Sequence, residues 1–222
     1  MKQIESVNLR YSLYEEIANS ITHGIGLLFA IAGLGVLTAF ASLYGDAWHI
    51  VACSIFGGTM ILLYTASTLY HSIQWHSARP LLRTLDHCAI FLLIAGTYTP
   101  FTLVNLRGPW GWSLFGTIWG LAIIGIVLEI FLSPRLRHLV IALYISMGWV
   151  MVVAIKPMLG AVAPGGLILL LAGGLCYTIG VPLYIKKSIP FNHAIWHLFV
   201  LAGTSLHFFA ILLYVIPVLG HH

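Results

Sequence analysis

Long apolar runs, separated by short polar stretches, make up most of the chain. A helix needs about 20 largely apolar residues to cross a bilayer, and turn-forming pairs such as Gly45-Asp46 and Gly108-Pro109 divide the runs. Because lipid-facing backbone must satisfy its own hydrogen bonds, runs of this length should be helices. The pattern predicts seven spans, at residues 20–43, 48–72, 86–106, 112–132, 139–158, 165–185 and 192–217.

The composition supports a membrane protein and leaves no room for a separate soluble domain. Sixty per cent of the 222 residues are apolar and 7% are charged, whereas soluble domains carry about 25% charged residues. The sequence therefore predicts an all-α integral membrane protein with a single domain over residues 1–222, preceded by a short cytoplasmic segment at 1–18. The three cysteines lie inside apolar runs, which favours neither a disulfide framework nor a thiolate metal site.

Basic residues are distributed unevenly between the two sets of loops. Of the ten Lys and Arg residues, eight lie in the N-terminal segment and in the second, fourth and sixth loops, while only Arg107 and Lys156 lie on the opposite side. Cytoplasmic loops carry the excess of Lys and Arg. We therefore predict a cytoplasmic N-terminus and an extracytoplasmic C-terminus in the cell (inner) membrane. The net charge of +4 then reflects the inner leaflet and requires no nucleic-acid partner.

Polar residues within the predicted spans gather at the cytoplasmic ends. Such residues are costly in a membrane and commonly functional. Within a span they are three or four positions apart, which places them on one helical face. The set comprises Glu16, Asn19 and His23 in the first span, Ser67 and His71 in the second, Asp86 in the third, and His193 and His197 in the seventh. The charge of the loops and the positions of these polar residues are independent signals, and both indicate the cytoplasmic end of the bundle.

Three of these residues are typical ligands of a catalytic zinc ion. His193 and His197 are one helical turn apart, and His71 from another helix would complete a set of three imidazoles that leaves one position open. Zinc lowers the pKa of a bound water to about 7. Asp86 could hold or deprotonate that water, and Ser67 could orient the water or a substrate oxygen. We expect Glu16, Asn19 and His23 to lie beside the ligands and to support them.

Structural alternatives stand beside this reading. A histidine inside a membrane often serves only as a hydrogen-bond partner between helices. Glu16 could be an interfacial carboxylate near the start of its helix, where the helix dipole favours it. His207 lies ten residues beyond His197, about 15 Å deeper, so we expect it in packing or in a substrate channel.

Two further ionisable residues lie near the same end. His87 points about 100° away from Asp86 on a helix, so we expect at most one of the two to face the site. Glu129, near the inner end of the fourth span, is expected to extend towards Arg135 or water.

The motifs, taken in order, resemble the haemolysin III family. They are Glu16-x-x-Asn19-x-x-x-His23, Ser67-x-x-x-His71, Asp86 and His193-x-x-x-His197, with His207 following. That family is the bacterial branch of the progestin and adipoQ receptor family. The resemblance implies seven helices with the N-terminus inside, and a zinc ion held by the residues matching His71, His193 and His197. It also implies that Asp86 contacts the zinc-bound water and that Ser67 is the family's serine before the first ligand.

Three functions remain open from the sequence. The leading hypothesis is a zinc-dependent hydrolase of a lipid amide or ester, because the wider superfamily includes alkaline ceramidases with a similar residue set. Membrane lipids would then be its substrates or ligands. The second hypothesis is a zinc-stabilised receptor-like or regulatory protein without turnover, which a closed four-ligand site would favour. The third is a cytolytic pore or a transporter, although its polar groups should then line both leaflets.

Overall fold

The computed structural model describes residues 12–131 and 137–217, and this part of the chain is helical with no strand. It contains seven helical segments long and apolar enough to cross a membrane. The predicted all-α membrane fold with seven spans is therefore confirmed. The helices are α1 (Leu13–Tyr44), α2 (Ala47–Ser72), α3 (Arg79–Pro100), α4 (Pro109–Phe131), α5 (Arg137–Trp149), α6 (Ile155–Ala161), α7 (Pro164–Ile185) and α8 (Asn192–Tyr214).

Side-chain caps set where the first two helices begin. Ser12 accepts a hydrogen bond from the backbone N–H of Glu15, and the Glu15 carboxylate accepts one from the backbone N–H of Ser12. This capping box starts α1 at Leu13 rather than near residue 20. Asp46 similarly accepts from the backbone N–H groups of Trp48 and His49 at the start of α2. The polar first turns of α1 are therefore part of the helix.

Two of the spans are not regular α-helices throughout. A π-helical turn at Phe101–Asn105 follows Pro100 and extends α3 into a 27-residue span. A 3-10 segment at Val150–Ala154 joins α5 to α6, so these three pieces together form the fifth span. In the irregular turn after Pro100, the backbone N–H of Leu106 donates to the carbonyl of Phe101, five residues earlier, which is the π-helical pattern.

The helices form a closed ring in which α3 is the most enclosed. Neighbours pack in the order α1, α2, α3, α4, α5, α7 and α8, and α8 returns to α1. In the apolar window of the α3 span, 78% of residues are buried, against 17–50% for the other spans. Side chains on several faces of α3 consequently point into the bundle.

Glycines along α7 allow α8 to approach closely. Gly166, Gly173 and Gly180 recur every seven residues and are buried. A Cβ atom would lie 2.9 Å from Tyr214 at Gly166, 2.4 Å from His207 at Gly173 and 2.6 Å from Trp196 at Gly180, and all three neighbours belong to α8. Small residues at such contacts are the usual means of helix association in membranes. This seam holds α8, the helix with two of the candidate ligands.

Candidate metal centre

Three histidines meet at one end of the bundle, where α2 ends and α8 begins. One ring nitrogen from each of His71, His193 and His197 lies within 4.8 Å of the other two. The Nε2 atoms of His71 and His193 are 3.1 Å apart. All three rings are buried, with at most 7% of each residue exposed. The helical spacing read from the sequence thus corresponds to a real convergence of three imidazoles.

Hydrogen bonds from α1 orient two of these rings. His71 Nδ1 lies 2.6 Å from a Glu16 carboxylate oxygen and 3.4 Å from the Asn19 side-chain amide. His197 Nδ1 lies 3.2 Å from the Asn19 carbonyl oxygen. Because each Nδ1–H donates to an oxygen, the neutral ring keeps its lone pair on Nε2. Both lone pairs are therefore available to a metal ion.

A second contact holds the Glu16 carboxylate in place. Its other oxygen accepts a hydrogen bond from the Arg79 guanidinium, which also donates to the Gln74 side chain. Glu16 is 2% exposed, so its carboxylate is almost fully removed from water, while the Arg79 side chain is 17% exposed. A buried carboxylate requires such a partner. Arg79 therefore holds Glu16 in place, and Glu16 in turn orients His71.

His23 lies directly against the cluster without joining it. Its ring stacks on the His197 ring at a centroid distance of 3.5 Å and meets the Tyr64 ring edge-on at 5.0 Å. Both ring nitrogens are buried and make no hydrogen bond to the described residues. The structure thus places all three predicted neighbours, Glu16, Asn19 and His23, beside the histidine cluster.

Asp86 and Ser67 lie next to the cluster. The Asp86 carboxylate lies within electrostatic reach of the Ser67 hydroxyl and of the His71 side chain. The Ser67 hydroxyl is buried and makes no hydrogen bond to the described residues. Asp86 also lines a cavity of about 150 Å³ together with His193 and His197. A carboxylate and a hydroxyl are therefore available beside the three imidazoles, as the sequence suggested.

His87 and Glu129, the two further ionisable residues near this end, contact each other. His87 lines the same cavity as Asp86, and its Nδ1 contacts Glu129. The expectation that Glu129 extends to water is wrong, because its side chain is only 12% exposed and its carboxylate lies 2.5 Å from His87 Nδ1. Arg135 is outside the described residues.

Arg137 completes a polar group that sequence reasoning missed. Its guanidinium lies 2.6 Å from His87 Nε2 and 3.3 Å from the Tyr184 hydroxyl. The group thus joins α3, α4, α5 and α7 around the cavity. The sequence contains one indication of this group, because His87 and Glu129 lie near the same predicted membrane depth on consecutive spans.

His207 lies apart from the three-histidine cluster, as expected from its position along α8. Its Nε2 is 3.1 Å from the Leu170 carbonyl oxygen on α7, and its ring fills the space beside Gly173. It also lines the cavity. Both expected roles, in packing and in the channel, are therefore compatible with its location.

The chemistry of the donor set suits zinc. Zinc prefers imidazole nitrogen in sites of three protein ligands, and such ligands commonly donate their other N–H to a carboxylate or backbone carbonyl. Glu16 and the Asn19 carbonyl supply these two kinds of acceptor. The residues present therefore fit a zinc ion held by His71, His193 and His197.

Fold and site together define a polytopic helical membrane protein with a buried three-histidine cluster at one end of its bundle. The chain belongs to the haemolysin-III related family, whose family model matches residues 11–208. The resemblance read from the motifs is thereby confirmed.

Similar proteins occur in bacteria and in animals. The chain is 51% identical to Hemolysin-3 of Bacillus cereus over 203 residues, which covers 91% of this chain and 93% of the relative. It is 48% identical to the Hemolysin-3 homolog of Bacillus subtilis (strain 168), covering 94% and 98%. It is 30% identical to the Monocyte to macrophage differentiation factor of Homo sapiens, covering 92% and 87%. Alignments of this extent span nearly the entire bundle.

Proposed function

We propose that this protein is a zinc-dependent hydrolase of a lipid amide or ester, acting in the cell (inner) membrane on membrane lipids and contributing to their homeostasis. The observation that carries the proposal is the convergence of three buried imidazoles, two of which, those of His193 and His197, line one cavity with Asp86. In the predicted topology this cluster lies at the cytoplasmic end. A zinc ion held by His71, His193 and His197 would activate water and polarise the substrate carbonyl.

Each polar residue around the cluster has a separate task in this proposal. Asp86 accepts a proton from the attacking water at its carboxylate, and it returns the proton to the departing amide nitrogen or ester oxygen. Ser67 donates its hydroxyl hydrogen to Asp86 or to a substrate oxygen, which is consistent with its having no other partner. Glu16 and Asn19 keep His71 and His197 in the orientation that their hydrogen bonds define.

The cavity suits a substrate that is mostly apolar. Beyond the polar end, its walls are formed by aliphatic and aromatic side chains, among them Leu93, Ile94, Ile141, Ile145 and Val181. Such pockets use a few polar groups to orient a ligand and apolar surface to bind it. An acyl chain along these walls would bring its amide or ester carbonyl to Asp86.

One observation favours a rival function. The unpartnered nitrogens of His23 lie on a ring stacked against His197, so a fourth imidazole is close to the cluster. Four protein ligands make a closed, structural zinc site. The rival is a zinc-stabilised receptor-like or regulatory protein that binds lipid without turnover.

The substitution Asp86→Asn separates the two functions. In a hydrolase, zinc content and melting temperature stay near those of the unmodified protein, while hydrolysis falls about 10²–10⁴-fold because the base is lost. The measurement combines metal analysis, thermal unfolding and product release from short-chain ceramide and ester substrates. Asp46→Asn, at the opposite end of the bundle, is the matched control and should leave all three unchanged.

Other results would reject the hydrolase. A fully metallated unmodified protein that hydrolyses none of a broad lipid panel would support the regulatory function. Loss of zinc and of thermal stability in Asp86→Asn, with no activity to lose, would indicate a structural ligand. The name of the Bacillus cereus relative suggests a cytolytic alternative. Dye release from liposomes tests it.

A further inference from the structure

The turn before α8 contains a residue in a strained backbone conformation. Phe191 has φ 55° and ψ 23°, and no other non-glycine residue in the described part of the chain has a positive φ. A bulky residue in this region persists only where surrounding contacts enforce it, and such residues cluster at functional sites. Phe191 comes two positions before His193, so the contacts that enforce its conformation also bear on the cluster.

One of these contacts comes from α1. The backbone N–H of Phe191 donates a hydrogen bond to a Glu15 carboxylate oxygen at 3.2 Å. Glu15 precedes Glu16, whose carboxylate binds His71. A single turn of α1 therefore contacts both the start of α8 and a candidate ligand on α2.

The second contact comes from Asn192, which is 3% exposed. Its side-chain amide donates hydrogen bonds to the carbonyl oxygens of Leu183 at 3.2 Å and Tyr184 at 2.8 Å. These carbonyls belong to the last turn of α7, where no further helical N–H groups are available. Asn192 thus caps the end of α7 with the first side chain of α8.

Tyr184 connects this cap to the histidine cluster. Its carbonyl accepts from Asn192, and its ring packs against the His193 ring at a centroid distance of 5.4 Å. His193 is therefore held in two ways. It directly follows Asn192 in the chain, and its ring packs against Tyr184, whose carbonyl Asn192 binds. Because His193 Nε2 lies 3.1 Å from His71 Nε2, a small shift at this turn would alter the ligand geometry.

We propose that Asn192 is a positioning residue for the metal centre: by joining the end of α7 to the start of α8, it sets the place of His193 relative to His71. The inference rests on the proposed metal site and concerns a residue outside the predicted ligand set. Asn192 acts through His193 and Tyr184, and it is not among the residues that line the cavity.

The test compares two asparagines that make the same kind of bond. Asn105, in the π-helical turn after α3, donates its side-chain amide to the carbonyl oxygens of Ala161 and Tyr214 at 3.2 and 3.5 Å. Asn192→Ala and Asn105→Ala each remove a link between helix ends, but only the first lies at the cluster. The readouts are zinc affinity, by competition with a chelator, and the melting temperature of metal-stripped protein.

We expect Asn192→Ala to weaken zinc binding about 10–100-fold, the usual effect of losing a group that orients a ligand. Asn105→Ala should change the affinity less than twofold, even where the two melting temperatures fall alike. Asn192→Ser retains one donor and should give an intermediate affinity. This variant takes the place of Asn192→Ala in the comparison if the alanine variant does not fold.

Equal zinc affinity in Asn192→Ala and Asn105→Ala would overturn the positioning role while leaving the metal site intact. Equal affinity in Asn192→Ser and the unmodified protein would do the same. An unmodified protein that binds no zinc would instead reject the proposed metal site, and the inference with it.

Discussion

His71 and His197 owe their orientation to hydrogen bonds on the ring nitrogen facing away from the cluster. A carboxylate from Glu16 holds the first, and the Asn19 carbonyl holds the second. Both acceptors come from the same face of α1, three residues apart. At the scale of single residues, α1 therefore supplies no predicted ligand but orients two of them.

This arrangement makes Glu16→Gln informative. Glutamine keeps the shape and an acceptor oxygen but removes the negative charge that makes the ring of His71 a better ligand. We expect zinc affinity to fall about 10-fold or more, measured by chelator competition. Glu129→Gln is a matched control, because Glu129 also binds an imidazole, that of His87, but touches no predicted ligand.

An unchanged affinity in Glu16→Gln would mean that His71 is oriented without the charge of Glu16. An equal loss in Glu129→Gln would point to a general electrostatic effect of the bundle rather than to the direct contact.

The contacts of a residue could be predicted from the sequence only where the helical faces of both partners were known. Helical spacing and loop charge were enough to place His193, His197 and His71 together. The pairing of His87 with Glu129 required the relative rotation of α3 and α4, which neither spacing nor loop charge specifies. The left-handed conformation of Phe191 had no signal in the sequence, since aromatic residues rarely adopt it.

At the scale of helices, packing depends on which glycine of a pair faces a neighbour. Gly173 faces α8, where an added Cβ would lie 2.4 Å from His207 Nε2, whereas Gly174 has no atom within 4 Å of that position. The two glycines are adjacent and identical in the sequence, so only the packing of α7 against α8 tells them apart. The apolar run put the start of the first span near residue 20, whereas the capping box of Ser12 and Glu15 starts α1 at Leu13.

The two glycines give a stability test on adjacent positions of one helix. Gly173→Ala should destabilise the bundle by about 1–3 kcal/mol, as overpacking does. Gly174→Ala should leave stability unchanged or raise it by up to about 1 kcal/mol, because alanine is the better helix former. Thermal unfolding in detergent measures both, and equal melting temperatures would contradict the close contact between α7 and α8.

At the scale of the whole molecule, the ring of helices encloses a cavity whose lining includes Asp86, His193 and His197. Seven spans and their approximate limits followed from hydropathy because lipid leaves few alternatives to helices. The irregular segments at Phe101–Asn105 and Val150–Ala154 did not follow, since local backbone geometry depends on packing within the bundle.

The direction of the bundle is a prediction from loop charge. A reporter fused after residue 222 should be extracytoplasmic, and one inserted in the loop next to Arg79 should be cytoplasmic, because eight of the ten basic residues lie on that side. Reporter activity on both sides of intact cells measures this. Both reporters on the same side would contradict an odd number of spans.

The most direct test of the account is the metal content of the purified protein. Elemental analysis should find about one zinc per chain. The double variant His193→Ala/His197→Ala should lose nearly all of it, while His207→Ala should retain it, because His207 lies outside the cluster of His71, His193 and His197. An unmodified protein without zinc, or a double variant that keeps its full zinc content, would contradict the assignment of this cluster as a metal centre.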